Sequence, residues 1–157
     1  MGFMQKKIKT KLCDLFLVAS SKGLQGVYWE EQKILTKINT NEDIESNLSQ
    51  AEQQIKEYIE GDRKNFSLKL DIVGTAFQLN VWHQLQNIPY GKTISYKTLA
   101  EKCYVANGYR AVGNANGKNP LCLVIPCHRV IASDGSLGGY SGGLKIKEFL
   151  LNLEKSN

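Results

Sequence analysis

The sequence of 157 residues is poor in the residues that mark fibrous, zinc-binding and disulfide-rich proteins. Its three prolines and 14 glycines exclude collagen-like and low-complexity classes. Its two histidines argue against a four-ligand zinc site. The four cysteines show neither a CxxC pair nor the spacing of a disulfide framework, so we expect free thiols in a reducing compartment. They are Cys13, Cys103, Cys122 and Cys127.

Long hydrophobic runs are also lacking. No apolar stretch reaches the roughly 18 residues that a membrane span requires. The N-terminal stretch LFLVA is too short for the apolar region of a secretory signal. We therefore expect a soluble, cytoplasmic protein with no membrane partner. Hydrophobic residues make up 42% of the chain and charged residues 22%, so a packed core rather than disorder is expected.

Charge is distributed unevenly along the chain. Residues 1–75 carry 11 basic and 11 acidic side chains, whereas residues 76–157 carry nine basic and four acidic ones. The whole net charge of +5 therefore lies in the second part. Such an asymmetry indicates that this part faces a polyanion, although many small domains are mildly basic without binding one.

The first part of the chain has the pattern of a small α/β unit. Alternating and β-branched residues predict strands at 15–20 and 26–30, joined by turn residues, and a third strand at 66–70. Apolar residues at helical spacing predict a helix over 48–59 that ends at Gly61. This part offers no chemically suggestive motif. We expect two domains, one at 1–74 and one at 75–157.

The second part begins with three predicted helices. Thr75 is a candidate N-cap for a helix that runs to about residue 86, and Ser95 is a candidate N-cap for a helix over 96–103. Asn-Gly at 107–108 interrupts the chain before a third helix over 109–116. Two short helices around a glycine-containing break match a helix-turn-helix, although an ordinary helical hairpin has the same pattern.

The third helix is unusual because small residues alternate along it. They are Ala111, Gly113, Ala115 and Gly117. Glycine costs roughly 1 kcal/mol in a helix interior. Two interpretations remain open, namely tight packing on a neighbouring helix and a helix pressed into a narrow groove.

Cys127 has the most suggestive surroundings of the four cysteines. The apolar run at 121–125 predicts a short buried strand that ends at Pro126, so Cys127 lies where a turn begins. Unpaired N–H groups at such a start favour thiolate over thiol. His128 follows, but neighbours on an extended chain point to opposite faces, so a water or a tight turn must link the pair. The other three cysteines are interpreted as small buried apolar residues.

Two further features follow Cys127. The segment at 135–143 has five glycines in nine positions around Tyr140 and Ser141, but it matches no phosphate-binding motif. It is either a flexible hairpin or a wall that closes around a flat ligand. Apolar residues at helical spacing over 146–153 predict a C-terminal amphipathic helix that carries Glu154. This carboxylate is of interest only if the helix packs against the histidine.

Three motifs together resemble one family. They are RAVG at 110–113, IPCHRV at 125–130 and GGYSGG at 138–143. In this order and spacing they are similar to the O6-alkylguanine-DNA alkyltransferases, also called methylated-DNA–protein-cysteine methyltransferases, over about residues 75–154. The resemblance implies an α/β (α+β) fold with a small ribonuclease-H-like N-terminal domain. It also implies a mostly helical C-terminal domain with a winged-helix-like helix-turn-helix.

The resemblance implies a role for each matching residue. Cys127 would accept the alkyl group, His128 would act as the base through a water, and Glu154 would orient that histidine. Asn119 would tie the segment before the cysteine to the helix-turn-helix, and Tyr96 would donate to the guanine ring. The other implied site residues contact DNA (Tyr96, Arg110, Ala111, Gly113 and Asn114) or the flipped base (Val130, Tyr140, Ser141 and Lys147).

The implied partner is double-stranded DNA with an alkylated guanine. Arg110 would replace the flipped nucleotide, and the helix after it would enter the minor groove with little sequence dependence. Asn114 and Asn116 stand where the family pattern has small or apolar residues. No cofactor and no metal are implied. We expect a monomer that is cytoplasmic, and nucleoid-associated if prokaryotic.

The implied activity is irreversible, stoichiometric transfer of the alkyl group from O6-alkylguanine, and from O4-alkylthymine, to Cys127. One alternative is a lesion-binding, alkyltransferase-like protein that transfers nothing. In that branch of the family the cysteine is replaced, commonly by tryptophan, so its presence here argues against this alternative. A second alternative is a cysteine hydrolase that turns over repeatedly. In hydrolases the cysteine and histidine are usually distant in sequence, whereas here they are adjacent.

Overall fold

The structure, a computed structural model, describes residues 2–34 and 41–157. The chain divides into two compact units, Met1–Val73 and Gly74–Asn157. Within the described ranges, no helix combines the length and the apolar character needed to cross a bilayer.

The first unit is a three-stranded antiparallel sheet with one helix against it. The strands lie in the order β1-β2-β3, and α1 packs mainly on β2. Alternate residues of β2 point into the core, so Leu15, Leu17 and Ala19 are fully buried. The elements are β1 (Met4–Lys9), β2 (Asp14–Ser20), β3 (Gly23–Tyr28) and α1 (Glu42–Ile59).

Two elements of this unit extend beyond their sequence predictions. Strand β1 was not predicted because three of its six residues are lysines and only Ile8 is buried. Lysine is common on edge strands, where it discourages pairing with another chain. Helix α1 begins six residues before the predicted start, because the Asn41 side chain accepts hydrogen bonds from the N–H groups of Asp43 and Ile44.

The strand predicted at 66–70 is wrong. A single bridge joins Leu70 to Leu24, and Ser67 is held by a side chain instead of a neighbouring strand. Gln54 accepts a hydrogen bond from the Ser67 N–H at 2.9 Å and donates one to the Ser67 carbonyl at 3.2 Å. The alternation of apolar residues therefore reflects an extended segment that is buried on one side.

The second unit is mostly helical. Helix α2 packs on α3 and α4, and α3 packs on α4, so the three predicted helices form one packed group. Thr75 forms a capping box at the start of α2, and Ser95 caps α3, as predicted. The Trp82 indole donates to the Ala115 carbonyl at 2.8 Å and ties α2 to α4. The elements are α2 (Ala76–Gln86), β4 (Ile94–Ser95), α3 (Tyr96–Lys102), α4 (Tyr109–Gly117), β5 (Val130–Ile131) and α5 (Leu144–Ser156).

The strand predicted at 121–125 is also wrong, because this buried apolar run forms turns. The Asn119 side chain accepts from the Leu121 N–H at 2.9 Å and donates to the Ile125 carbonyl at 2.8 Å. Leu123 adopts a positive φ of 73° between these two contacts. The Asn119 side-chain amide thus forms backbone hydrogen bonds that a partner strand would otherwise provide.

Candidate active site

Cys127 begins a single 3-10 turn, Cys127–Arg129, which follows Pro126. The turn closes through a hydrogen bond from the Arg129 N–H to the Pro126 carbonyl at 3.0 Å. The next two residues, β5, pair in parallel with β4, which directly precedes α3. This pairing fixes the cysteine turn beside the first turn of α3, where Tyr96 lies. The predicted turn at Cys127 is therefore confirmed, although no strand leads into it.

His128 lies in a buried polar network centred on Glu154. The His128 Nε2 is 2.8 Å from Glu154 Oε2, and both side chains are at most 1% exposed. Arg129 donates to both oxygens of the carboxylate, at 2.8 Å and 2.9 Å, and to the Ile88 carbonyl at 2.7 Å. The Gly91 N–H adds a contact at 3.2 Å. The C-terminal helix therefore delivers Glu154 to the histidine.

The network also sets the chemistry of the histidine. A carboxylate paired with Arg129 can only accept hydrogen bonds, so the hydrogen of the ring lies on Nε2 and the lone pair lies on Nδ1. Burial lowers the pKa of His128, and the nearby Glu154 opposes this shift. His128 is therefore a neutral imidazole at neutral pH that can accept a proton at Nδ1.

Cys127 is protonated in the resting protein. The contact with the Cys122 thiol and burial raise its pKa well above the usual 9.0, while Asn119 and Lys147 act in the opposite direction. The expectation that the start of the turn makes Cys127 a thiolate is wrong, because burial beside a second thiol outweighs the N–H groups of one short turn. Any nucleophilic reaction of this sulfur must first remove its proton.

A cavity of about 230 Å³ leads to Cys127. An engineered cavity of about 150 Å³ is known to accept benzene, so this one has the scale of a bicyclic base. The sulfur-bearing side chain is only 3% exposed, and the cavity is its route to incoming molecules. The lining residues come from α3 (Tyr96), α4 (Gly113, Asn116 and Gly117), the turn (Cys127) and the glycine-rich loop (Gly139, Tyr140 and Ser141).

Lys147 holds the glycine-rich loop as one wall of this cavity. Its ammonium group donates to the carbonyls of Val130 at 2.7 Å, Gly139 at 3.0 Å and Leu137. Three carbonyls match the three hydrogens of a charged amine. Burial lowers the pKa of Lys147 to about 8, and Cys127 opposes this shift. Lys147 is thus a positioning residue beneath the loop.

Tyr96 closes the same wall from α3. Its side chain hydrogen-bonds to the Gly139 backbone, and burial raises its pKa, so it is a neutral hydroxyl. Gly138 has a φ of 70°, and a Cβ built there would lie 3.0 Å from the Tyr96 ring. A glycine is therefore favoured at 138, because the backbone angle strains other residues and an added Cβ would crowd the ring.

Helix α4 presents a small, open surface. Arg110, Ala111 and Asn114 are exposed, whereas Val112 and Ala115 face the core. A Cβ added at Gly113 or Gly117 would meet no atom within 4 Å. Packing against a neighbouring helix therefore does not explain these two glycines. The open space above these glycines leaves room for another molecule to approach the helix closely.

The chain matches two family models, which cover nearly its whole length. Residues 4–72 match "6-O-methylguanine DNA methyltransferase, ribonuclease-like domain", and residues 76–156 match the DNA binding domain of the same protein family. The chain belongs to the 6-O-methylguanine DNA methyltransferase family.

Relatives and solved structures of this family agree along the chain. A methylated-DNA–protein-cysteine methyltransferase of Methanosarcina barkeri is 43% identical over 152 residues, which cover 96% of each chain. The constitutive enzyme of Bacillus subtilis is 45% identical over 130 residues, covering 82% of this chain and 76% of that one. The Mycobacterium tuberculosis OGT structure in complex with DNA has a TM-score of 0.86 and 38% identity, covering 97% and 92% of the two chains. The predicted family and fold class are confirmed.

The structure of this methyltransferase-family chain brings most of the predicted site residues together. Cys127 and Tyr96 line the cavity, Asn119 holds the segment that precedes Cys127, and His128, the next residue along the chain, pairs with Glu154. In the same region lie the predicted base contacts on β5, the loop and α5 (Val130, Tyr140, Ser141 and Lys147). The predicted DNA contacts on α4 form the adjacent open surface (Arg110, Ala111, Gly113 and Asn114).

Three residues of the site were not predicted. Arg129 stabilises the Glu154 carboxylate, Asn116 donates to the Cys127 carbonyl at 3.4 Å, and Cys122 contacts the Cys127 thiol. Sequence signals existed for two of them. Arg129 lies inside the IPCHRV motif, and Asn116 departs from the small or apolar residues of the family pattern. Cys122 gave no such signal, because a cysteine in an apolar run is interpreted as a small hydrophobic residue.

Proposed function

We propose that this protein repairs alkylated DNA by transferring the alkyl group from O6 of guanine to the sulfur of Cys127, once per molecule. The observation that carries the proposal is the placement of one cysteine at the end of a base-sized cavity, next to a neutral buried histidine. Membership of the methyltransferase family supports it along the whole chain. The retained cysteine separates the chain from lesion-binding members that transfer nothing.

The first step removes the proton of the Cys127 thiol. His128 accepts it at Nδ1 through a water, and the resulting imidazolium is stabilised by Glu154 at 2.8 Å from Nε2. Arg129 holds the carboxylate in place and keeps it ionised when the histidine is neutral. The histidine and the carboxylate thus act as an activating pair for a nucleophile that rests in its protonated form.

The second step moves the alkyl carbon. A bond forms between that carbon and the Cys127 sulfur, and the bond between the carbon and guanine O6 breaks. The electron pair stays on the guanine, where the half-buried and neutral Tyr96 hydroxyl donates to the ring and stabilises the developing charge. His128 finally gives the thiol proton to the guanine anion, and the products are guanine and a thioether. A thioether has no easy leaving group, so each molecule acts once.

The DNA interface follows from the exposed side of α4. A base inside a duplex cannot reach the cavity, so it must rotate out at a cost of a few kcal/mol. Arg110 fills the gap and offsets part of this cost. The open glycines at 113 and 117 let the helix approach the minor groove closely. We assign both DNA binding and alkyl transfer to residues 75–157. We expect the protein to be located with the DNA, in the cytoplasm or at the nucleoid.

The decisive experiment incubates the full chain with duplex DNA that contains one O6-methylguanine. We expect the protein to gain the mass of one CH₂ unit, to stop at one per chain, and to carry the label on the peptide with Cys127. The matched control is Cys127→Ser, which should bind the same duplex and gain nothing. Repeated turnover, or label on another cysteine, would contradict the proposal.

A further inference from the structure

A second thiol lies beside the proposed alkyl acceptor, and the two proposed steps of alkyl transfer do not use it. Cys122 is 3% exposed, its sulfur is 3.6 Å from the Ser141 hydroxyl, and it is 3.8 Å from the Asn119 carbonyl. It also forms a hydrogen-bonding contact with the Cys127 thiol. Ser141 and Cys127 both line the cavity, so the Cys122 thiol contacts two residues of its wall.

The fold holds these two sulfurs together. The Asn119 amide binds the backbone on both sides of Cys122, at Leu121 and at Ile125. The Ile125 carbonyl also accepts from the Cys127 N–H at 2.8 Å, so the chain turns back between the two cysteines. All four cysteines of the chain are free thiols, and Cys122 is the one that contacts Cys127. Two thiols held in this way meet the first requirement of a disulfide, which is proximity without unfolding.

We propose that Cys122 is a resolving thiol, which captures an oxidised Cys127 as a reversible disulfide when a hydroperoxide enters the cavity. The proposal rests on the proposed function only in that the disulfide blocks alkyl transfer. The capture itself is a property of the two thiols and of the cavity.

The chemistry balances in two steps. His128 takes the Cys127 proton through a water, the sulfur attacks one oxygen of the peroxide, and the O–O bond breaks. The proton passes to the leaving oxygen, so the products are a sulfenic acid and water (or an alcohol from an organic hydroperoxide). The Cys122 sulfur then attacks the Cys127 sulfur, the S–O bond breaks, and the hydroxide leaves with the thiol proton as water. Two thiols are oxidised and one peroxide is reduced. A dithiol reductant reverses the result by thiol–disulfide exchange.

The structure favours capture over further oxidation. A second peroxide must diffuse in from solution, whereas the Cys122 thiol is already in contact with the reacting sulfur. Such an intramolecular step has a large effective concentration. Sulfinic and sulfonic acids are not recovered by simple reductants, so a resolving thiol preserves an acceptor that works only once.

The test treats the full chain with graded hydrogen peroxide and reads intact mass, peptide maps and alkyl transfer before and after dithiothreitol. We expect wild type to lose two hydrogens, to yield a peptide crosslinked between Cys122 and Cys127, and to regain most of its transfer after reduction. In Cys122→Ser and Cys122→Ala we expect oxygen added at Cys127 and at least tenfold less recovered transfer, relative to each untreated variant. The control Cys103→Ala, at a buried thiol outside the site, should behave as wild type.

Three outcomes would overturn the proposal. They are oxygen added at Cys127 of wild type without a crosslink, equal recovery in wild type and the Cys122 variants, and a crosslink to another cysteine. The serine variant keeps a hydroxyl near Ser141, so it provides the comparison if the alanine variant folds poorly. The crosslink is detected by mass alone. A protein that crosslinks but transfers no alkyl group would therefore refute the proposed function and leave this inference standing.

Discussion

The two units of the molecule use charged groups in opposite ways. In the first unit the ion pair between Lys6 and Glu52 is short, at 2.6 Å, but its side chains are 46% and 22% exposed. In the second unit Glu154 is 1% exposed and binds the fully buried His128. Exposed pairs contribute about 0–1 kcal/mol, and buried ones often contribute no more than a packed apolar core would. The buried network of the second unit is therefore explained by its chemistry better than by stability.

The largest effect should come from neutralising the buried carboxylate. Glu154→Gln leaves the Arg129 charge buried without its counterion, and breaking such a pair typically costs about 3–5 kcal/mol. Glu52→Gln removes one partner of exposed pairs and should cost no more than about 1 kcal/mol. Urea denaturation of the two variants measures the difference. Equal losses in the free energy of unfolding would mean that the two units do not differ in this way.

The next effect concerns catalysis and its pH dependence. A neutral His128 with a Cys127 thiol holds as many protons as an imidazolium with a thiolate. Moving the proton from the thiol to the histidine neither takes up nor releases a proton, so the fraction of the reactive ion pair does not change with pH. The transfer rate should therefore be independent of pH between the lowered pKa of His128 and the raised pKa of Cys127. In His128→Asn the proton must go to solution. We expect a rate about 10²–10⁴-fold lower that rises about tenfold per pH unit across neutral pH.

The matched control for this prediction is the other histidine of the chain. His83 is exposed on α2, so His83→Asn should keep both the rate and its flat pH profile. Single-turnover transfer to the protein, measured between pH 6 and pH 8.5, distinguishes the variants. A flat profile in His128→Asn would show that the histidine does not take the thiol proton.

A smaller effect should come from the side-chain amide that shapes the cysteine loop. Asn119→Ala leaves the buried Leu121 N–H without a partner, at about 1–3 kcal/mol, removes one of the two hydrogen bonds of the Ile125 carbonyl, and loosens the segment before Cys127. Its counterpart in the first unit is Asn47, which donates to the Ser20 carbonyl at 2.9 Å and is only half-buried. Asn47→Ala should cost about 1 kcal/mol. Unfolding and transfer are measured together, and transfer should slow only in the Asn119 variant.

Local features of the two units could be predicted from the sequence. Thr75 and Ser95 cap their helices because an N-cap needs only its own side chain and the next three residues. The Cys127 turn follows from the proline before it. The residues that resemble the family also indicated which distant groups would meet the cysteine.

Long-range features could not be derived from local patterns. His128 and Glu154 are 26 residues apart, and only the packing of α5 brings them into contact. The run at 121–125 has the burial of a core strand, but a turn held by Asn119 buries the same residues. Strand β1 was hidden by its lysines, since an edge strand with one buried residue has almost no hydrophobic signal.

The smallest effect compares the helices of the two units. Helix α1 contains no glycine, whereas α4 has Gly113 in its interior with free space where a Cβ would stand. Gly113→Ala should stabilise the protein by about 0.8–1 kcal/mol through helix propensity, yet weaken its binding to undamaged duplex DNA, because the added methyl group prevents the closest approach to the groove. The control is Ser49→Ala, on the exposed side of α1, which should stabilise slightly and leave DNA affinity unchanged. Urea denaturation of both variants measures the gain in stability, and fluorescence anisotropy measures the loss of DNA affinity. A stabilised Gly113→Ala protein with full DNA affinity would remove the groove interpretation of α4.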